Sequence, residues 1–196
     1  MPKIGLFFGS FNPIHIGHLI MAEYFVENSD LKEIWFVVSP NNPMKKKESL
    51  LSEHQRLYMV NLAVEDDARF RSCDIEFHLS LPSYTCHTLV HLQEKYPDKE
   101  FVLIMGEDNL ETIEKWKNYE FILDNFSIYA YPRIGSDGGK YKNHPHVTFV
   151  DAPYIGISAT MIRNGIADGK TMRYFVHPKV AQFIDEMRLY SKKKSL

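Results

Sequence analysis

Residues 9–18 read Gly-Ser-Phe-Asn-Pro-Ile-His-Ile-Gly-His, which places His15 and His18 either side of Gly17. Two imidazoles at that spacing can donate to oxygens around a phosphorus atom as charge builds up in a transition state. The stretch follows an apolar run at 4–8, which predicts a buried strand, and precedes 19–26, apolar at helical spacing. A strand-to-helix turn presents backbone N–H groups and the positive end of the helix dipole, so it is an anion site. The turn is neither a P-loop, since no Gly-Lys-Ser/Thr follows, nor a Gly-x-Gly-x-x-Gly fingerprint. Gly17 is expected to leave room for a phosphate or an adenine ring to approach the backbone.

Other polar residues sit at predicted element ends. Ile157-Ser158-Ala159-Thr160-Met161-Ile162-Arg163 opens a helix, with Ser158 as its N-cap. Its hydroxyls, its N-terminus and Arg163 could together cradle a polyphosphate. Gly106-Glu107-Asp108 follows the most hydrophobic run, 101–105, and predicts a strand-to-loop turn. Trp116 is flanked by Lys115 and Lys117, and its ring could stack on a cationic ring. Residues 44–47, containing Lys45 and Lys46, read either as a solvated loop tip or as a basic loop closing over phosphates.

These stretches need elements to position them. Strands are expected at 33–38, 70–77 (near an edge), 126–131 and 146–150. Ser52 and Gln55 resemble a capping box that opens a helix through Val64. Ser83-Tyr84-Thr85 leads into a helix that stops at Pro97; 110–124 is expected to be helical and to carry Trp116. A short helix after Ile157 stops near Gly169, and Pro178 starts a last one over 179–190. Residues 135–145 read as an exposed loop and 191–196 as a basic, frayed tail. Strands alternating with helices argue an α/β fold, a parallel sheet covered on both faces. We expect one domain, 1–196, with a small helical C-terminal part from about 157.

Composition excludes several classes. A chain of 196 residues with 44% hydrophobic and 24% charged residues is ordinary for a globular protein, and a net charge of −2 argues for neither nucleic acid nor membrane. Cys73 and Cys86 lack metal spacing and cannot form a disulfide framework, so a reducing cytoplasm is expected. No leader or membrane span is read. His87 and His91, four apart without a zinc motif, are one side of a helix.

The ten-residue turn resembles the Gly-Ser/Thr-Phe-Asp/Asn-Pro-x-His-x-Gly-His signature of the nucleotidyltransferases. In detail the chain is similar to their nicotinate-nucleotide adenylyltransferase branch. The second signature, Ile-Ser-Ser/Thr-Thr-x-Ile-Arg, matches at 157–163 with Ala159 replacing a hydroxyl residue. The resemblance implies a Rossmann-like fold and adenylyl transfer from ATP to nicotinate mononucleotide, in NAD synthesis. It implies His15, His18 and Arg163 as catalytic. ATP would be held by Gly9, Ser10, Phe11, His15, Gly17, His18, Gly106, Asp108, Ile157, Ser158, Thr160 and Arg163. Nicotinate mononucleotide would meet Asn12, Lys45, Lys46, Ser83, Tyr84, Thr85, Trp116 and Arg133. Asn12 stands where many relatives have aspartate, and Phe8 where many have glycine. Magnesium is expected with ATP, and no protein-made metal site is. Open alternatives are another acceptor (nicotinamide mononucleotide, phosphopantetheine or a polyol phosphate) and a domain that binds nucleotide without turnover.

Overall fold

The computed structural model describes residues 1–40 and 50–192. Six strands form one parallel sheet: β1 (Lys3–Gly9), β2 (Leu31–Val38), β3 (Phe70–Cys73), β4 (Glu100–Gly106), β5 (Ser127–Tyr131) and β6 (Val147–Phe149). Their order is β3-β2-β1-β4-β5-β6. The chain adds strands outward from β1 on one side and then from β4 on the other, so a crevice opens beyond the carboxyl ends of these two strands.

The helices are α1 (Ile16–Asn28), α2 (Glu53–Val64), α3 (Thr85–Lys95), α4 (Glu107–Glu111), α5 (Tyr119–Asn125), α6 (Ala159–Ala167) and α7 (Pro178–Glu186). They cover both faces because successive residues of a strand point to opposite sides. Phe7, Ile34, Phe36, Val38 and Ile104 meet Met21 and Phe25 of α1, Met59 and Val60 of α2, Ile162 of α6 and Val180 of α7. Ile4, Leu6, Trp35, Val37, Leu103 and Met105 meet Leu89 and Leu92 of α3, Leu110 of α4 and Ile122 of α5. Two buried faces explain why these strands read as continuous apolar runs. No described helix is long and apolar enough to cross a membrane.

Several expected boundaries are corrected. The strand expected over 70–77 stops at Cys73, where the chain turns into a 3-10 segment, Ile75–His78, that buries Glu76. The expected turn at Gly106 to Asp108 is instead the start of α4, with Gly106 as N-cap. The helix expected over 110–124 is broken: the Thr112 hydroxyl donates back to the carbonyls of Asp108 and Asn109, and Asn118 is left-handed at φ 52°. Trp116 lies in that break, just after the 3-10 turn Ile113–Lys115. The last helix ends at Glu186 rather than at Tyr190, because Arg188 and Tyr190 take positive φ and turn the chain back. The loop at 135–145 contains a 3-10 segment, Gly139–Asn143. Lys45, Lys46 and most of the basic tail lie outside the described residues.

β1 carries a tight spot at Gly5. A Cβ there would lie 2.6 Å from both Ile34 Cδ1 and Ile104 Cδ1, and 2.9 Å from Leu31 Cδ1. Gly5→Ala is expected to destabilise by about 1–3 kcal/mol through overpacking, measured by denaturant unfolding, with substrate affinities unchanged.

Candidate active site

The crevice is a cavity of about 990 Å³. Its floor is the carboxyl end of β1 and β4, and its walls come from the segments that follow them. Gly9 ends β1, and Phe11 follows at φ 44°. A bulky residue in that region is strained and persists only where packing over-determines it. The packing is aromatic: the Phe11 ring is 2% exposed and meets Phe7, Phe36 and His18 edge-on, with centroids 6.3, 5.6 and 5.1 Å away. The Phe11 side chain is therefore core, although the residue also lines the cavity.

His15 is the N-cap of α1 and His18 lies one turn on. Their rings stack with centroids 3.6 Å apart and planes 21° apart. The His15 main-chain N–H donates to His18 Nδ1 at 3.2 Å, which places the His18 proton on Nε2 in the neutral ring. His15 is 6% exposed, and its Nδ1 is buried without a hydrogen-bond partner among the described residues. Burial first, and the charge of Arg133 second, pull its pKa down to about 4. His15 is thus a neutral imidazole at physiological pH. A Cβ on Gly17 would lie 2.7 Å from Ile155 Cγ2 and 3.0 Å from His15 Nδ1. Both contacts leave little room for a side chain at position 17, which lines the cavity.

Two distant segments grip this turn. Arg163 of α6 donates to the Asn12 carbonyl at 2.9 Å and to the Thr160 hydroxyl at 3.2 Å. Tyr190 donates its hydroxyl to Asn12 Oδ1 at 2.9 Å. Asn12 itself is 3% exposed. Ser158 caps α6, its hydroxyl accepting from the Met161 N–H at 3.2 Å. Across the crevice, Arg133 Nε lies 3.6 Å from Asp108 Oδ1, and the Arg133 main-chain N–H donates to Glu107 Oε2 at 3.2 Å. On the remaining side, Ser83, Tyr84 and Thr85 lead into α3 beside Trp116, and Lys117 Nζ lies 4.4 Å from the Tyr84 ring centroid.

Residues 6–165 match the cytidylyltransferase-like family. A Flavobacterium johnsoniae protein named "Probable nicotinate-nucleotide adenylyltransferase" is 54% identical over 192 residues, covering 97% of this chain and 100% of its own. A Bacteroides fragilis protein of the same name is 48% identical, over 91% of this chain and 89% of its own. The chain belongs to the nicotinate-nucleotide adenylyltransferases of the cytidylyltransferase-like family. Plasmodium falciparum nicotinic acid mononucleotide adenylyltransferase, solved in complex with NaAD, shares the fold at a TM-score of 0.82 and 20% identity, over 97% of this chain and 98% of that one. The same protein complexed with APC gives 0.81.

In this family member all the expected site residues that the structure describes line the one cavity: Gly9 to Asn12, His15, Gly17 and His18 of the turn, Ser83 to Thr85, Gly106, Asp108, Trp116, Arg133, Ile157, Ser158, Thr160 and Arg163. Their surroundings differ from expectation in detail. The Ser83 hydroxyl is spent inside the protein, on Glu76 Oε2 at 3.0 Å. Asp108 and Arg133, expected on different substrates, are neighbours. Trp116 is half-buried, packed on the second core and facing the cavity as well.

Sequence reasoning missed two buried charged residues. Glu76, 2% exposed, reaches the cavity and also accepts from Thr88 Oγ1 at 2.9 Å; burial raises its pKa. No signal marked it beyond a carboxylate between Ile75 and Phe77. Arg56, 0% exposed, sits behind the cavity wall. The signal was present: Arg56 shares helical spacing with buried Met59, Val60 and Val64.

The His15 environment predicts a pH effect. Its folded pKa lies below the unfolded value of 6.5, so its contribution to stability is complete above pH 6.5 and is lost as pH falls through about 4. The loss amounts to at most about 3 kcal/mol. Melting temperature against pH should fall less steeply over that window in His15→Gln than in the wild type.

Proposed function

We propose that this cavity transfers the adenylyl group of ATP to nicotinate mononucleotide, forming nicotinate adenine dinucleotide and pyrophosphate. The observation that carries the reading is the Arg163–Asn12 bond. Two signatures about 150 residues apart in the chain are joined by one 2.9 Å hydrogen bond across a single cavity. End-to-end identity of 54% to a relative named for this activity supports the choice of acceptor. A cytoplasmic setting agrees with two free, buried cysteines.

ATP would enter as its magnesium complex, with the metal on the phosphate oxygens. Asp108, its side chain 48% exposed and close to Arg133, is positioned to accept from ribose hydroxyls. A phosphate oxygen of the mononucleotide attacks the α-phosphorus in line, the bond to the bridging oxygen breaks, and pyrophosphate leaves with that oxygen. The attacking phosphate is already ionised at neutral pH, so no general base is needed. Such transfer rests on positioning and electrostatic stabilisation. His18 Nε2–H and the neutral His15 ring would donate to oxygens of the reacting phosphate. Ser158, Thr160 and the start of α6 would receive the pyrophosphate. Arg163 spends two of its N–H groups on the protein, and its remaining donors can reach phosphate oxygens. Trp116 and Tyr84 would flank the pyridine ring, and the N-terminus of α3 at Thr85 would meet its carboxylate.

The test of this reading is product identification after incubation with ATP, magnesium and a panel of mononucleotides. Nicotinate adenine dinucleotide is the expected product, and nicotinate mononucleotide should give the highest kcat/KM; a higher value for the amide would refute the acceptor. His18→Ala should lower kcat by roughly 100- to 1000-fold with ATP affinity little changed, and His18→Asn, which keeps a donor, should recover part of that loss. Trp116→Ala should raise KM for the mononucleotide more than KM for ATP, by an amount worth about 0.5–2 kcal/mol.

A further inference from the structure

Arg56 lies beneath the site rather than in it. Its side chain is fully buried. Nε donates to the Leu51 carbonyl at 3.0 Å, Nη1 to the carbonyls of Ser10 and Ser39 at 2.7 Å each, and Nη2 to that of Pro40 at 2.9 Å. No described carboxylate forms an ion pair with it. Glu53, three residues earlier on α2, and Tyr190 act on it at longer range, and burial lowers its pKa. Four main-chain oxygens thus solvate a buried guanidinium.

The position of those oxygens gives this arrangement a use. Ser10 follows β1 and Ser39 follows β2, and both line the cavity, whereas Arg56 does not. The carboxyl edge of a parallel sheet presents carbonyl oxygens, the negative ends of peptide dipoles, where an anion must bind. Arg56 turns the Ser10 and Ser39 oxygens away from the cavity and holds both turns in one register. Leu51 extends the grip, because its N–H donates to Asn12 Oδ1 at 3.4 Å while its carbonyl takes Arg56 Nε. A charge without a paired carboxylate among the described residues, screened from water, acts over a longer distance than an exposed one.

We infer that Arg56 is a positioning residue for the phosphates: its buried charge strengthens polyphosphate binding, and its four-carbonyl geometry aligns the turn that reacts. The inference rests on the adenylyl-transfer reading for its kinetic half only, since polyphosphate binding can be measured without an acceptor.

Arg56→Met removes the charge and approximates the volume; Arg56→Lys keeps the charge and cannot span four carbonyls. Affinities for inorganic pyrophosphate, ATP and adenosine are measured by calorimetric titration, and kcat at saturating substrates. In Arg56→Met, pyrophosphate and ATP should bind on the order of tenfold more weakly, with adenosine unchanged. In Arg56→Lys, pyrophosphate should bind within about threefold of wild type, while kcat falls roughly tenfold or more. If Arg56→Met does not fold, Arg56→Lys decides alone by this split between affinity and turnover. A folded Met variant with wild-type pyrophosphate affinity, a Lys variant with wild-type kcat, or equal weakening of all three ligands in the folded variants overturns the inference. Wild type that makes no dinucleotide from nicotinate mononucleotide would instead sink the functional reading, and the pyrophosphate titrations would still judge Arg56.

Discussion

The structure depends on holding one irregular turn, residues 10 to 15, in a fixed shape at the end of the central strand. Such a turn has polar backbone groups without a ladder or helix to pair them, and a buried unpaired group costs on the order of 1–3 kcal/mol. Here they are paired by side chains from afar. Arg56 takes the Ser10 carbonyl, Arg163 the Asn12 carbonyl, and Tyr190 the Asn12 side chain. The contacts span 46, 151 and 178 positions of sequence. Closing the turn therefore requires α2, α6 and the segment after α7 to be in place. That is why the helical C-terminal part packs on the same face as α1 and α2.

The electrostatics of the site follow from that burial. An anion site built on the carboxyl edge of a sheet must overcome the carbonyl dipoles there. The fold answers with the N-termini of α1 and α6, whose first residues line the crevice, and with guanidinium groups that engage carbonyls. The histidine pair is tuned by the same environment. Desolvation and Arg133 keep the His15 ring neutral, so it adds a directional polar atom without a second charge beside Arg133. His18 is more exposed and is oriented by the His15 main chain. The two imidazoles thus have different surroundings despite their similar places in sequence.

Packing constrains the same residues. Gly17 is small because the His15 ring and Ile155 lie against it. The β1–α1 turn is held from below by Phe7 and Phe11, which pack on Phe36 and wedge the His18 ring. Trp116 is placed by a failure of helix continuity. Thr112 back-bonds to the preceding turn, Asn118 is left-handed, and the indole falls between two helices at the cavity mouth. An unbroken helix would have carried it elsewhere.

Much was determined by local sequence. The alternation of apolar runs with helical spacing specifies a parallel α/β sheet, because period and punctuation are local properties. The capping residues Ser52 and Ser158 mark helix starts for the same reason, each meeting an N–H three residues on. Residues 9–18 and 157–163 announce their chemistry because donor types and glycine spacing are local too. Tertiary structure decided what depends on long-range pairing. The strand order, which opens the crevice between β1 and β4, is set by which strands meet, and no local spacing encodes it. The roles of Arg56 and Glu76 arise from pairing: helical spacing marks Arg56 as buried, but which oxygens it meets, and what meets Glu76, is not written in either local stretch. Tyr190 reads as the end of a helix, yet the chain turns back there and its hydroxyl donates to the buried side-chain oxygen of Asn12, a pairing across 178 positions that no local spacing encodes.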